Sequence, residues 1–278
     1  MILRPQNDRL LAELEPFVVA TAENLARFDL CPLGLAIAED ARVDPLRRAS
    51  APFLELLARL DAATFGPEGM PMPRWLFLDA AELPGGIVGF GRRADGAPAS
   101  LRAALRVPPG SAGIVPVSMY VAMPTVDPAE WVGHNLASLR EHLPDQPLRG
   151  LGGLTKAVAL AAFRARAQIG VTQWDSAALA VHARLGPLEL LTAWTPGHAA
   201  AHSLTYRAAL DDDALRALAG DPSARVARPA PTLWIDSADH GAMQALEDRI
   251  EAGERLCVAG PPAPLGPGRQ RVPIAPCG

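Results

Sequence analysis

Apolar residues recur at three- and four-residue steps through Leu154, Val158, Ala161, Ala162 and Ala165, the stripe of a helix with one buried face. The spacing predicts a helix over residues 153–168, with Lys156, Arg164 and Arg166 projecting elsewhere and Gly170 as its terminating glycine. Residues 171–174 bring β-branched and aromatic side chains together as a short strand. Asp175 and Ser176 then read as the N-cap pair of a helix running to Arg184, with Ala178, Val181 and Leu185 on its apolar side and Gly186 at its end. Upstream, Ile2 and Leu3 open a first strand, Asn7 or Asp8 caps a helix carrying Leu10, Leu11 and Leu14, and residues 8–65 read as several helices broken by Pro16, Pro32, Pro45 and Pro52.

Shorter apolar runs at residues 75–78, 86–90 and 114–123 predict strands of an antiparallel sheet, joined by the loops ADGAPAS and VPPGSAG. Residues 131–139 continue the sheet, as do LELLTAW and SLTYRAAL beyond Gly186. The stretch FGPEGMPMP reads as an ordered turn over something apolar, with Met70 and Met72 as core fillers before ligand contacts. Asp211, Asp212 and Asp213 read as a helix cap and a solvated turn. TLWIDS, a helix over 238–251 and RLCVAG predict a β-α-β tail, and the last eighteen residues, six of them prolines, are expected to be extended or disordered. The fold class is α/β of the α+β type, a mixed and largely antiparallel sheet flanked by helices. The expected division is a helical N-terminal region at 1–65, a core at 66–210 and an extension at 211–278.

Candidate chemistry begins at Gly150, Gly152 and Gly153, directly before strong helix formers. A turn there exposes backbone N–H groups at a helix start, where the unpaired donors and the positive dipole end favour an anion. Arg149 adds a charge-assisted donor for phosphate. Neither a Walker pattern nor a strand-borne G-x-G-x-x-G accompanies it.

This order of glycine turn, helix, strand, helix and Leu-Gly, over roughly forty residues, resembles the acyl-CoA N-acyltransferase (GNAT) superfamily. The superfamily's pyrophosphate loop reads [QR]-x-x-G-x-[GA]; Arg149, Gly150, Leu151, Gly152 and Gly153 fill its first five positions and Leu154 stands at the sixth, while a shift by one places Thr155 there and loses Arg149. The resemblance implies that the backbone of this loop holds the pyrophosphate of coenzyme A. It also implies Leu139, at the end of the central strand, and Asp175, where the family often has Asn, as further coenzyme contacts, and acetyl-CoA or another acyl-CoA as co-substrate. Asp175 reads first as a helix cap. Where the family has Tyr-x-x-Leu-Gly-Phe, this chain has His182 and Pro187 around Leu185-Gly186, so the resemblance casts His182 as the acid that protonates the leaving thiolate. The plainer reading makes His182 a packing residue beside Val181 and Leu185. For the base, His134 is the choice; Asn135 on the opposite face and Glu141 are the alternatives, and Glu141 and His142 read first as solvated charges. Residues 140–148 form a longer loop than the family has. Two copies pairing through edge strands, as a homodimer, is the form of association such cores imply.

Composition narrows the alternatives. Net charge is −4, from 26 basic and 30 acidic residues in an interspersed pattern, which argues against a nucleic-acid partner. Three widely spaced cysteines, Cys31, Cys257 and Cys277, suit neither a disulfide framework nor a zinc knuckle and fit the cytoplasm. The opening MILRPQNDRL is already charged, and no apolar run reaches the ~18 residues of a span, so no membrane partner is expected. His198 and His202 would share a helix face, yet no carboxylate or cysteine pattern joins them, and no metal is expected. The expectation is an N-acyltransferase, by direct transfer, for a small amine or amino-acid-like acceptor. A GNAT-like protein that binds coenzyme A or a ligand without catalysis is the first alternative. An unrelated α/β hydrolytic enzyme is the second, although G-x-S-x-G is lacking.

Overall fold

A computed structural model of the chain describes residues 8–25, 28, 30–82, 85–139, 148–198 and 200–278. In chain order its elements are α1 (Asp8–Leu11), β1 (Glu15–Val19), α2 (Ala22–Leu25), β2 (Arg42–Val43), α3 (Ala51–Phe65), α4 (Arg74–Glu82), β3 (Gly86–Arg93), α5 (Ala99–Ala104), β4 (Ile114–Pro124), β5 (Glu130–Ser138) and α6 (Leu151–Ala162). They continue with β6 (Ala167–Gln173), α7 (Ala177–His182), β7 (Leu188–Thr192), β8 (Ser203–Ala209), α8 (Asp212–Leu218), β9 (Leu233–Asp236), α9 (His240–Glu251), β10 (Leu256–Val258), β11 (Ala263–Gly266) and β12 (Arg269–Pro276). All the described strands join one sheet in the order β11-β12-β10-β7-β8-β6-β5-β4-β3-β1-β2, with β9 on β12. Every neighbouring pair is antiparallel except β1–β2 and β5–β6. The fold is therefore a mixed α/β one with a largely antiparallel sheet flanked by helices.

Helices cover both faces of the sheet's centre. On β4, Ser118 bonds to Thr155 of α6. Asn135, opposite Val121 on β5, instead donates to Asp61 of α3. Successive strand residues point to opposite faces, so α6 and α3 lie on different sides. This double cover explains why β4 is buried along nine consecutive residues and alternates so poorly in sequence. No described helix is long and apolar enough to cross a membrane.

Several elements differ from the sequence expectation, each for a reason that lies across the sheet. Residues 15–19, EPFVV, form β1 between β2 and β3 rather than helix, so the N-terminal region is part of the sheet. Pairing partners decide such a segment more than propensity does. Residues 75–78 lie in α4: Phe77, Ala80 and Ala81 are buried while Trp75 and Leu78 stay exposed, a helical three-to-four spacing. The sheet also runs unbroken through residue 210 to β10. There the last residues form the hairpin β11–β12, with Val272, Ile274 and Ala275 buried. Helix α6 runs 151–162 instead of 153–168, and the chain turns at Arg164, whose φ is 55°. Gly170 does not end it but lies inside β6. The strand at Ile2 and Leu3, the cap at Asn7 and residues 140–147, with Glu141 and His142, lie outside the described residues.

Gly133 and Gly170 face each other on one rung of β5 and β6. A Cβ on Gly133 would stand 2.1 Å from the Tyr120 hydroxyl, and one on Gly170 would stand 2.4 Å from that of Tyr206. Gly133→Ala is thus expected to cost roughly 1–3 kcal/mol through overpacking, read as a lowered Tm. A melting temperature unchanged from the parent's would show that Tyr120 moves aside freely.

Candidate functional site

The parallel pair β5–β6 bonds over a short stretch only, from Glu130 opposite Ala167 to Gly133 opposite Gly170. Beyond that rung β5 stays with β4 as far as Ser138, while β6 stays with β8 as far as Gln173. The two strands part, and a cavity of ≈ 430 Å³ occupies the fork, lined by both strands and by residues 69–73. A bulge in β5 shapes one wall: Val121 pairs with Asn135 and Ala122 with Gly133, which leaves His134 as the extra residue. Bulges re-aim side chains. Both His134 and Asn135 line the cavity here, although neighbours on a regular strand point to opposite faces. Surrounding protein lowers the pKa of His134 by desolvation.

The glycine turn lies behind the cavity wall at Leu136, which lines the cavity and is the side chain nearest Gly152. Gly150, with φ 87°, delivers the chain into α6. Leu151 N–H donates to Leu148 O and Leu154 N–H to Gly150 O, while the N–H groups of Gly152 and Gly153 meet no acceptor among the described residues. A Cβ on Gly152 would find only the Leu136 side chain, at 3.7 Å, whereas one on Gly153 would stand 2.4 Å from the Leu218 carbonyl of α8. Gly152 has room for a side chain against Leu136, and Gly153 has a close helix contact. Arg149 is exposed at the same turn. The remaining candidates of the loop are committed to the fold. Leu151 and Leu154 are buried, and Thr155 Oγ1 donates to Leu151 O and meets Ser118 Oγ at 2.7 Å. Leu139 is buried with its N–H on Val117 O. Asp175 is not the helix cap: Ser176 Oγ accepts from Ala178 N–H, and Asp175 pairs with His202 Nε2 at 3.3 Å. His198 and His202 share no helix face; His198 lines the cavity and accepts from Ala200 N–H.

The narrow end is polar and closed. Lys156 of α6 is fully buried, with Nζ 2.8 Å from His182 Nδ1 and 3.1 Å from the Tyr206 hydroxyl. Gln168 Nε2 donates to the same hydroxyl at 3.4 Å. The Tyr120 hydroxyl and Gln168 Oε1 are buried without a partner among the described residues. Tyr120, Gln168, His182 and Tyr206 all line the cavity. His182 lines the cavity, yet it is buried and tied to Lys156, which the helical spacing turns away from the core. The cause is that α6 is covered almost all round, with ten of its twelve residues buried. A signal was present: Lys156 is the sole lysine among 26 basic residues, and both tyrosines of the chain meet it.

Burial pushes the Lys156 amine well below its usual pKa. Burial, then the charge of Lys156, does the same to His182. Burial raises both Tyr120 and Tyr206. On the other side of the fork, Asp61 is buried and held up by desolvation, against donation from Met72 N–H and Asn135. Met72 and Met70 line the cavity, with Gln173 Nε2 directed at Met70 Sδ, so they contact whatever the cavity holds rather than the core alone.

A lysine that is neutral when folded and charged when unfolded makes stability depend on pH. Between its lowered pKa and 10.5 the unfolded chain binds the extra proton, so stability rises with pH by up to about 1.4 kcal/mol per unit. Chemical denaturation from about pH 8 to 10 should show that rise, and Lys156→Met should flatten it. An equal slope in the variant would mean that Lys156 keeps its charge inside the fold.

The architecture and its forked strand pair define the chain as a mixed α/β protein with an open cleft in a largely antiparallel sheet. No protein-family model matches the sequence, and no curated protein matches it. Among solved structures, it is similar to one named "putative acyl-CoA N-acyltransferase" from Klebsiella pneumoniae subsp. pneumoniae MGH 78578, with 17% identity and a TM-score of 0.34 over 58% of this chain and 91% of that one.

Proposed function

We propose that this protein is an acyl-CoA-dependent N-acyltransferase that moves an acyl group, acetyl being the simplest, directly to a small amine or amino-acid-like acceptor. The observation that supports it is the fork: β5 and β6 part beside a helix that opens at a glycine turn, where two N–H groups meet no acceptor among the described residues. A pyrophosphate on Gly152 and Gly153, beside Arg149, places the attached chain in the gap between the strands. The thioester then lies beside His182, with the acceptor entering past Met70, Met72 and His134.

The amine nitrogen attacks the thioester carbon, the C–N bond forms and the C–S bond breaks. One proton has to leave nitrogen and one has to reach sulfur. His182, neutral because it is buried, takes the first and returns it to the thiolate. His134, neutral at the mouth, removes the proton of the incoming ammonium. Thiol release from acetyl-CoA over a panel of small amines tests this reading. It predicts release that depends on the acceptor and yields the amide. Release without an acceptor, or none with any amine, would contradict it.

A further inference from the structure

We infer that the closed end of the fork, built by Lys156, Tyr120, Tyr206, Gln168 and His182, is a binding site for a carboxylate carried by one of the substrates. It deepens the acyl-transfer reading, on which it rests only for what brings the carboxylate in.

Three observations converge. Lys156 is fully buried, and no Asp or Glu among the described residues pairs with it. Buried lysines are otherwise paired or uncharged. Next, Tyr120 and Gln168, each at most 2% exposed, line the cavity with a polar atom that finds no partner among the described residues. Buried polar groups of folded proteins are nearly always satisfied, so two orphans at one cavity end mark a missing ligand group. Finally, the Tyr120 and Tyr206 hydroxyls occupy the places a Cβ on Gly133 or Gly170 would take, so these two glycines of the cavity wall let both phenols reach it.

Carboxylate oxygens answer this set. They accept from the Tyr120 hydroxyl. Rotating the Gln168 amide presents its NH₂ to the ligand and lets Oε1 accept from Tyr206. A negative charge beside this cluster also restores the proton on Lys156, whose amine reaches the cavity wall through His182 and Tyr206. A neutral carbonyl would use the hydroxyls and need no amine. The titratable groups facing Nζ are His182 from α7, Tyr206 from β8 and Tyr120 from β4. None brings a negative charge at neutral pH, since burial raises both phenols. Binding therefore takes up a proton, and affinity falls as pH rises above the pKa of Lys156 in the complex.

Two matched pairs name the source. Succinyl-CoA against butyryl-CoA places the carboxylate on the acyl group; L-alanine against L-alaninamide places it on the acceptor. Each is titrated calorimetrically, in two buffers of different ionisation enthalpy, into the parent, Lys156→Met and Tyr120→Phe. The expected result is a preference of roughly tenfold or more for the carboxylate in one pair, with about one proton taken up. Lys156→Met should abolish that preference. Tyr120→Phe should reduce it several-fold and fold normally, because the lost hydroxyl has no partner among the described residues. No preference in either pair, or one that survives both substitutions, overturns the inference. Acetyl-CoA binding without any carboxylate preference sinks this site and leaves the acyltransferase reading standing. A carboxylate preference for alanine without binding of any CoA thioester does the reverse.

Discussion

Replacing His182 with alanine is expected to lower turnover per folded molecule by roughly 10²-fold or more, with little change in coenzyme A affinity. The ring lines the fork and is held by Lys156 Nζ on Nδ1 and by the Tyr206 ring, whose centroid lies 5.4 Å away. That hold sets which nitrogen faces the substrate. Because the residue is also buried, His182→Ala should lower Tm as well, so rate and stability must be read on the same sample. His182→Gln separates the two roles, since an amide can keep the bond to Lys156 but cannot carry a proton. It should recover most of the melting temperature and none of the rate. A rate within about twofold of the parent's in either variant would remove His182 from proton transfer.

The second large effect concerns adjacent glycines with opposite surroundings. Gly152→Glu should abolish coenzyme A binding, by roughly 10²-fold or more, and leave Tm equal or higher. Its Cβ fits against Leu136 without a clash, its carboxylate competes for the helix N-terminus, and the helix dipole tolerates it well. Gly153→Ala should instead unsettle the fold, because its Cβ meets the backbone carbonyl of Leu218 and α6 must move from α8. Titration and thermal melts of both variants give the comparison. Full coenzyme affinity in Gly152→Glu would displace the anion site from this turn.

The contrast shows what could be read in the chain. The glycine turn was legible because its meaning is local: three glycines, then helix formers. The strands β3, β4, β5, β7 and β8 were legible for the same reason, as apolar runs between turn residues. β1 and α4 were misread because short runs such as EPFVV and RWLFL serve strand or helix equally, and β3 decides for the first of them. Gly170 resembled a helix stop because the Tyr206 ring that requires it lies on another strand. The polar end of the fork was illegible for a stronger reason. Its members come from β4, α6, β6, α7 and β8, and only the sheet order brings them together. Even so, a single lysine among arginines was a local clue, since arginine cannot give up its proton in a dry site and lysine can.

The most direct measurement is a crystal structure of the protein with coenzyme A. The account predicts the pyrophosphate on the N–H groups of Gly152 and Gly153, the pantetheine chain between β5 and β6, and the sulfur within reach of His182. Coenzyme A bound elsewhere, with the fork empty, would contradict it.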